Sequence, residues 1–183
     1  KNTTVRSGVN KFVKTLKTEG LWDKMSGIYP LVGETSYYGY NLKDPRNSND
    51  AYRLTFSTVD TTLDNGIIWF NATHDYANTH FNPTTNLTGT PVHISALSIL
   101  DQSSATADIG CIETSRTSYP RLALFLDYNG GSANNDALFD FYNPQTRITV
   151  DEVNSKAFYI ASRPTSTSAF LSLYNTSETP TKT

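Results

Sequence analysis

The spacing of apolar residues divides the chain into a short helical part and a long extended part. Between Val9 and Leu16 the apolar side chains recur three and four positions apart, and lysines fill the positions between them. This spacing is typical of an amphipathic helix and predicts one over about residues 8–25, with Ser7 as a possible cap and Gly20 as a break or kink. The helix either covers one end of a sheet or docks on a neighbouring subunit or domain.

After residue 50 the apolar residues mostly alternate with polar ones, and Asn, Gly and Pro separate the runs. Tyr52, Leu54 and Phe56 alternate with polar side chains, which predicts a strand with one buried and one solvated face. Asn129-Gly-Gly, after an apolar run, is a hairpin signal. The other predicted strands lie near residues 92–100, 122–128, 137–142, 147–150, 157–162 and 169–175.

The run from Asn65 to Pro83 is the most aromatic part of the chain. Asn65-Gly66 favours a tight turn between two strands, and β-branched and aromatic residues suit a half-buried sheet. The aromatic side chains of this run are therefore expected to be mostly buried. They are Trp69, Phe70, Tyr76 and Phe81.

The same run carries a family pattern. Its matching residues are Trp69, Phe70, Asn71, Asp75, Tyr76, Thr79, Phe81 and Pro83. In this order they resemble a hairpin near the start of laminin-G-like domains, which have a concanavalin-A-like jelly-roll fold. Ala72 stands where that family usually has glycine, so the turn between the strands is expected to differ.

Three motifs precede this run: Ile28–Gly33 with Thr35, Asn41–Arg46, and Ala51–Phe56. Following a helix, they resemble a module of tailed-bacteriophage virion proteins. Leu42-Lys-Asp-Pro-Arg46 is the most diagnostic piece, and the match weakens after Pro83.

The resemblance implies an all-β protein, a concanavalin-A-like jelly-roll sandwich over residues 27–183 behind an N-terminal helix or docking segment at 1–26. It implies a non-enzymatic virion component, such as a head fibre, capsid decoration or tail adhesin, that assembles with other virion proteins and attaches to host-surface glycans. The alternative is a free-standing carbohydrate-binding lectin of a bacterium or a secreted protein.

Composition reduces the number of functions that the chain could have. The 183 residues carry a formal net charge of −2 and only 17% charged side chains, so no basic surface for nucleic acid is expected. No apolar run is long enough to cross a membrane. The single cysteine, Cys111, excludes an internal disulfide and is expected to be a small buried apolar residue.

Catalytic and metal-binding patterns are missing from the sequence. A glycoside hydrolase needs two carboxyl groups facing one cleft, but Asp151 and Glu152 are adjacent and Glu113 is isolated. The histidines, His74 and His80 with the distant His93, have no third ligand at a useful spacing. We therefore predict neither catalytic residues nor a metal site built on histidine.

Two segments are candidate ligand sites. The loop from Asp127 to Asp136 offers the carboxylate, amide and carbonyl oxygens that Ca²⁺ prefers, and related lectin folds bind Ca²⁺ or sugars at such rims. The alternative, a polar hairpin whose Asn and Gly residues only supply positive φ, is favoured because EF-hand-like spacing is missing. The candidate ligands are Asp127, Asn129, Asn134, Asn135 and Asp136.

The second segment contains Tyr37, Tyr38 and Tyr40, which lie in a polar, glycine-containing stretch and are expected to face solvent. There they would stack on sugar rings. The alternative is that they pack on the N-terminal helix or on a neighbouring subunit, and the sequence does not separate the two.

The chain is also expected to work as a homo-oligomer, with a trimer favoured, or docked on a larger assembly. It starts at Lys1 rather than Met, and the predicted sheet looks unfinished at Thr183, as in a part of something larger. The apolar stripe of the helix offers a surface for a partner to bury.

Overall fold

The structure, a computed structural model, divides the chain into two compact units, Lys1–Asn82 and Pro83–Thr183. This division does not test the boundary predicted after residue 26, which stays a prediction. The described residues are 3–57, 62–64, 67–69, 76–86, 91–99, 107–112, 121–130, 135–141, 147–151, 156–165, 167–174 and 181–182.

The first unit opens with helix α1, which spans Thr3–Thr18. The prediction of an N-terminal helix is confirmed, but its limits of 8–25 are wrong at both ends. Val5 extends the apolar stripe by one turn toward the N-terminus, so the helix begins before Ser7 and does not use it as a cap. Only Leu16 is buried along the helix, so most of α1 is solvent-facing.

The helix ends because Gly20 takes a left-handed backbone conformation, with φ at +66°. The amide of Leu21 donates to the Leu16 carbonyl at 2.8 Å, and the amide of Gly20 donates to the Lys17 carbonyl at 3.2 Å. These are the two bonds of a Schellman motif, which closes a helix where glycine adopts positive φ. A separate 3₁₀ helix, Trp22–Lys24, follows the break that the sequence predicts.

A buried asparagine joins the segments that follow. Asn41 is 0% exposed. Its Oδ1 accepts the backbone N–H groups of Ile28 at 3.0 Å and Lys43 at 3.1 Å. Its Nδ2 donates to the carbonyl oxygens of Ser26 at 3.1 Å and Ala51 at 3.0 Å. One side chain thus connects three separate stretches of backbone and leaves its own amide fully hydrogen-bonded.

The strand predicted from the alternation of Tyr52, Leu54 and Phe56 is extended only at its end. A 3₁₀ helix occupies Asn49–Ala51, and Tyr52 follows with φ at +56°. Asn and Asp favour such turns, and this preference overrides the alternating pattern that follows them. Strand β1 is confined to Thr55–Phe56, and Leu54 before it is buried as predicted.

Two short antiparallel pairs complete the first unit. Strands β2 (Thr62–Asp64) and β3 (Ile67–Trp69) pair so that Asp64 lies opposite Ile67. The turn predicted at Asn65-Gly66 lies outside the described residues. Strand β4 (Ala77–Asn78) pairs with β1 rather than with β3 among the described strands.

The expected burial of the aromatic residues in this run is only partly met. Tyr76 is 59% exposed, so its predicted burial is wrong. It directly precedes the short edge strand β4, and its backbone, rather than its ring, bonds to Ser57. Phe81 is half-buried, and its ring meets that of Tyr52 edge-on at 5.2 Å. The side chain of Trp69, and all of Phe70, lie outside the described part of the structure.

The second unit starts with a four-residue helix, Pro83–Asn86, and the regular elements described after it are strands. They form two antiparallel sheets, with the orders β12-β11-β10-β5 and β6-β7-β8-β9. The strands are β5 (Val92–Leu97), β6 (Ile109–Ile112), β7 (Arg121–Tyr128), β8 (Asp136–Phe141), β9 (Arg147–Val150), β10 (Phe158–Arg163), β11 (Phe170–Tyr174) and β12 (Thr181–Lys182).

One apolar core lies between these two sheets. Leu124 and Phe139 come from one sheet, Tyr159 and Leu171 come from the other, and all four are fully buried. The hydroxyl of Tyr159 donates to the carbonyl of Leu126 across the core at 2.9 Å, so the one polar atom of that ring is satisfied. The predicted fold class, all-β with an N-terminal helix, is confirmed.

Replacing Asn41 tests the role of its four hydrogen bonds. Asn41→Ala leaves four backbone groups without their partner, and we expect it to lower the free energy of unfolding by roughly 3 kcal/mol or more. Urea unfolding followed by tryptophan fluorescence measures this. Asn47→Ala changes an exposed asparagine in the same unit, so it is expected to stay within ~0.5 kcal/mol of wild type. Equal stability of the two variants would contradict the assignment.

Candidate functional site

The three candidate tyrosines have different exposures. Tyr37 is 62% exposed, Tyr40 is half-buried, and Tyr38 is 1% exposed. The expectation that all three face solvent is therefore wrong for Tyr38. The amide of Tyr40 donates to the Tyr37 carbonyl at 3.1 Å, which closes a turn, and successive side chains in a turn point in different directions.

Glycine at position 39 brings this turn against another segment. The amide of Leu54 donates to the Gly39 carbonyl at 2.8 Å. A Cβ at Gly39 would lie 2.9 Å from the Leu54 carbonyl oxygen and 3.8 Å from the Arg53 Cζ. The backbones approach this closely only because position 39 has no side chain. The contact places Tyr40 beside Arg53.

The result is a surface that we name the tyrosine–arginine platform, consisting of Tyr37, Tyr40 and Arg53. The ring centroids of Tyr37 and Tyr40 lie 6.2 Å apart at an angle of 50°. The Arg53 guanidinium carbon lies 4.9 Å from the Tyr40 ring centroid, which is cation–π geometry. The Nε of Arg53 is buried and has no hydrogen-bond acceptor among the described residues.

Sequence reasoning missed Arg53. The alternating pattern placed it on the solvated face of a strand, whereas the structure stacks it on a ring 13 positions earlier in the chain. No spacing rule joins these residues, because the contact depends on the crossing at Gly39.

A half-buried tyrosine supports the backbone just before Arg53. The hydroxyl of Tyr29 donates to the carbonyl of Tyr52, whose backbone is in the left-handed region. Burial, reinforced by the neighbouring Tyr52, raises the pKa of Tyr29 to about 12. The neutral hydroxyl is thus the form that the fold stabilises.

The platform offers two kinds of contact to a ligand. An exposed tyrosine ring offers an apolar face for stacking and a hydroxyl for hydrogen bonding. A guanidinium offers several N–H donors in a fixed plane. Together they suit a ligand that has both a flat apolar face and oxygen acceptors.

The second predicted site, the loop after β7, is a β-hairpin. Tyr128 pairs with Asp136, and Asn135 takes a φ of +59°. Asn129 and Asn135 are exposed, whereas Asp127 is only 5% exposed, so these candidate ligands do not share one open rim. The positive φ of Asn135 fits the polar-hairpin interpretation. Asn134 lies outside the described residues.

A pair of carboxylates lies at the base of this hairpin. The Asp108 carboxylate accepts the backbone N–H of Leu126 at 2.8 Å. Burial of that carboxylate, with a further contribution from the negative charge of Asp127, raises the pKa of Asp108. Within the described ranges, no group of three or more His, Cys, Asp or Glu side chains is placed to hold a metal ion.

His80 and Cys111 are two further side chains with acid–base or nucleophilic chemistry. The Nε2 of His80 lies 2.9 Å from the Thr55 hydroxyl. Cys111 is half-buried rather than fully buried, and its burial raises the pKa of the thiol. His74, Glu113 and Glu152 lie outside the described residues.

A second surface is an apolar groove along α1. It has a volume of about 260 Å³, and Phe12 beside it is 45% exposed. Four basic and no acidic side chains lie on α1. The groove is lined by Val5, Gly8, Val9, Phe12, Pro30 and Val32.

Comparison of the chain with protein-family models, curated proteins and solved structures finds no match. No helix in the described ranges combines the length and the apolar character needed to cross a bilayer.

The raised pKa of Tyr29 predicts how stability depends on alkaline pH. Its folded pKa of about 12 exceeds the usual 10.0, so this contribution is complete below pH 10 and is lost as the pH rises toward 12. We expect Tyr29→Phe to be less stable by ~1 kcal/mol at pH 8, because a hydrogen bond is lost. We also expect it to show a smaller further loss between pH 10 and 12.

Thermal unfolding across this pH range measures both effects. Tyr76→Phe is the matched control, since Tyr76 is an exposed tyrosine of the same unit. If Tyr29→Phe and wild type lost stability in parallel above pH 10, the interpretation of Tyr29 would be wrong.

Proposed function

We propose that this protein is a non-enzymatic structural and adhesin domain of a tailed-bacteriophage virion, and that its tyrosine–arginine platform contacts host-surface glycans. The platform is the observation that carries the glycan part of the proposal. The virion part rests on the motifs at Ile28–Gly33, Asn41–Arg46 and Ala51–Phe56.

The jelly-roll fold is part of the same proposal. Two antiparallel sheets that share one core are compatible with a concanavalin-A-like sandwich, which is what the aromatic run resembles. Proteins with this fold mostly bind sugars or form surfaces. The expected role is therefore attachment or capsid decoration at the particle surface.

We infer that the domain is non-enzymatic from its acidic residues. Hydrolysis of glycosides needs one carboxyl group as acid and a second as nucleophile or base across a shared cleft. Asp140 is held by Arg147 through two hydrogen bonds of 2.7 and 2.9 Å, as in a structural ion pair. The spacing of the remaining acids in the sequence suggests no such pair, and of the neighbouring Asp108 and Asp127 the second is only 5% exposed, so the two do not face an open cleft.

Assembly is the second part of the proposed role. The groove beside Phe12 has apolar walls, whereas the opposite face of α1 carries Lys11 and Lys14. A helix with this division buries its apolar side in an interface and leaves its lysines in water. We propose a homo-oligomer, with a trimer favoured, that docks on other virion proteins.

A free-standing lectin is the alternative function, and the platform would serve it equally well. The virion role and the lectin role differ in where the chain is found. An antibody raised against the chain is expected to label purified phage particles, and peptide mass spectrometry of those particles is expected to recover the chain. Recovery from the soluble fraction alone would favour the lectin.

Replacing the exposed tyrosine tests the glycan contact. We expect Tyr37→Ala to weaken binding to the glycans that wild type selects on an array by roughly tenfold, since stacking on its ring is lost. Tyr76→Ala is the matched control, because Tyr76 is similarly exposed in the same unit. Loss of binding in both variants, or in neither, would count against the platform.

Replacing Phe12 tests the oligomer. We expect wild type to sediment as a trimer and Phe12→Ser to sediment as a monomer, because the variant removes an apolar side chain from the groove. Lys11→Ser, one position away and facing the polar side, is expected to remain trimeric. A monodisperse wild-type monomer at high concentration would exclude this role for α1.

A further inference from the structure

Arg53 differs from Arg46 and Arg147 in having no carboxylate beside its charge among the described residues. Arg46 bonds to Asp44 at 2.6 Å and to Asp50 at 3.1 Å. Arg147 bonds to Asp140 at 2.7 Å. Arg53 forms no ion pair with any residue that the structure describes.

A partly buried guanidinium without an anion is energetically unfavourable. Burying a charge costs free energy unless the charge is paired, and each polar atom left without a hydrogen bond adds to the cost. The Tyr40 ring at 4.9 Å offsets part of this cost through cation–π attraction. The buried Nε of Arg53 has no acceptor among the described residues, so the compensation within them is incomplete.

A carboxylate is the anion that best pairs with this half-buried guanidinium, and a ligand from solvent reaches its outer nitrogens rather than the buried Nε. The planar guanidinium presents parallel N–H donors that match the two oxygens of a carboxylate, which a single ammonium does not do. Arg53 contacts the ring of Tyr40, and the ring of Tyr40 in turn lies beside that of Tyr37. A ligand held at Arg53 can therefore place an adjoining sugar ring on the exposed face of Tyr37.

We propose that the platform selects acidic saccharides, with the carboxylate of a uronic-acid sugar bound to Arg53 and a neighbouring ring stacked on Tyr37. This inference rests on the proposed glycan-binding function and adds the class of ligand. It requires an anionic ligand, whereas stacking on tyrosine alone would serve neutral sugars equally well.

Paired polysaccharides test the ligand class separately from the function. Acidic polysaccharides that contain uronic acids are placed on an array beside their carboxyl-reduced forms, which keep the same rings and linkages but have no charge. We expect binding to acidic members and a loss of roughly tenfold or more on reduction. We also expect the acidic binding to weaken as salt is raised from low concentration, because an ion pair is screened.

Three outcomes are distinguishable. Preference for the acidic forms supports the inference. Equal binding of acidic and reduced forms overturns it but leaves the glycan function in place. Binding to no glycan overturns the glycan function and the inference with it.

Variants of Arg53 provide the residue-level test. Arg53→Gln is expected to remove the preference for acidic forms, so that the variant binds the acidic forms and their reduced forms alike. Arg53→Lys keeps the charge without the planar fork, so it is expected to retain a reduced preference and to report on the site even if Arg53→Gln fails to fold. Full acid preference in a folded Arg53→Gln would overturn the proposal.

Discussion

The buried side chain of Asn41 is the interaction on which the first unit depends. Among the residues of that unit whose burial is described, few apolar side chains are buried, and the segments between α1 and β1 are mostly turns and short 3₁₀ helices. Such segments leave backbone groups without partners from regular secondary structure, and buried groups of this kind must be satisfied by other means. Asn41 satisfies four of them. Lys43 adds a bond from its ammonium to the Trp22 carbonyl at 2.6 Å, with the ammonium 4.5 Å from the indole ring.

The candidate site depends on this arrangement. Asn41 holds the carbonyl of Ala51, Tyr29 holds the carbonyl of Tyr52, and the Gly39 carbonyl receives the amide of Leu54. Hydrogen bonds therefore hold the backbone on both sides of Arg53 in the sequence. Rigid support of this kind preorganises a binding surface, so that less conformational entropy is lost when a ligand binds.

The second unit relies on a different principle. Its strands are long enough to bond to one another, and its stability comes from apolar side chains between two sheets. Two buried polar side chains of this unit are paired. Tyr159 reaches the Leu126 carbonyl, and Asp140, which is buried, is neutralised by Arg147. Because an unpaired buried charge is costly, Asp140 and Arg147 stabilise the sheet only as a pair.

The sequence alone determined the class of the protein, the presence of the helix, its break at Gly20 and most strands of the second unit. These features depend on the local spacing of apolar residues and on the conformational freedom of glycine. Both can be read from residues that are close together in the sequence. The sequence also proposed Tyr37 and Tyr40 as candidate ligand-binding residues, and both contribute to the platform. Only the tertiary structure decided that Tyr38 is buried and Tyr76 exposed, and that Arg53 joins the platform. Those outcomes depend on which distant backbones cross, and a local pattern carries no information about that crossing.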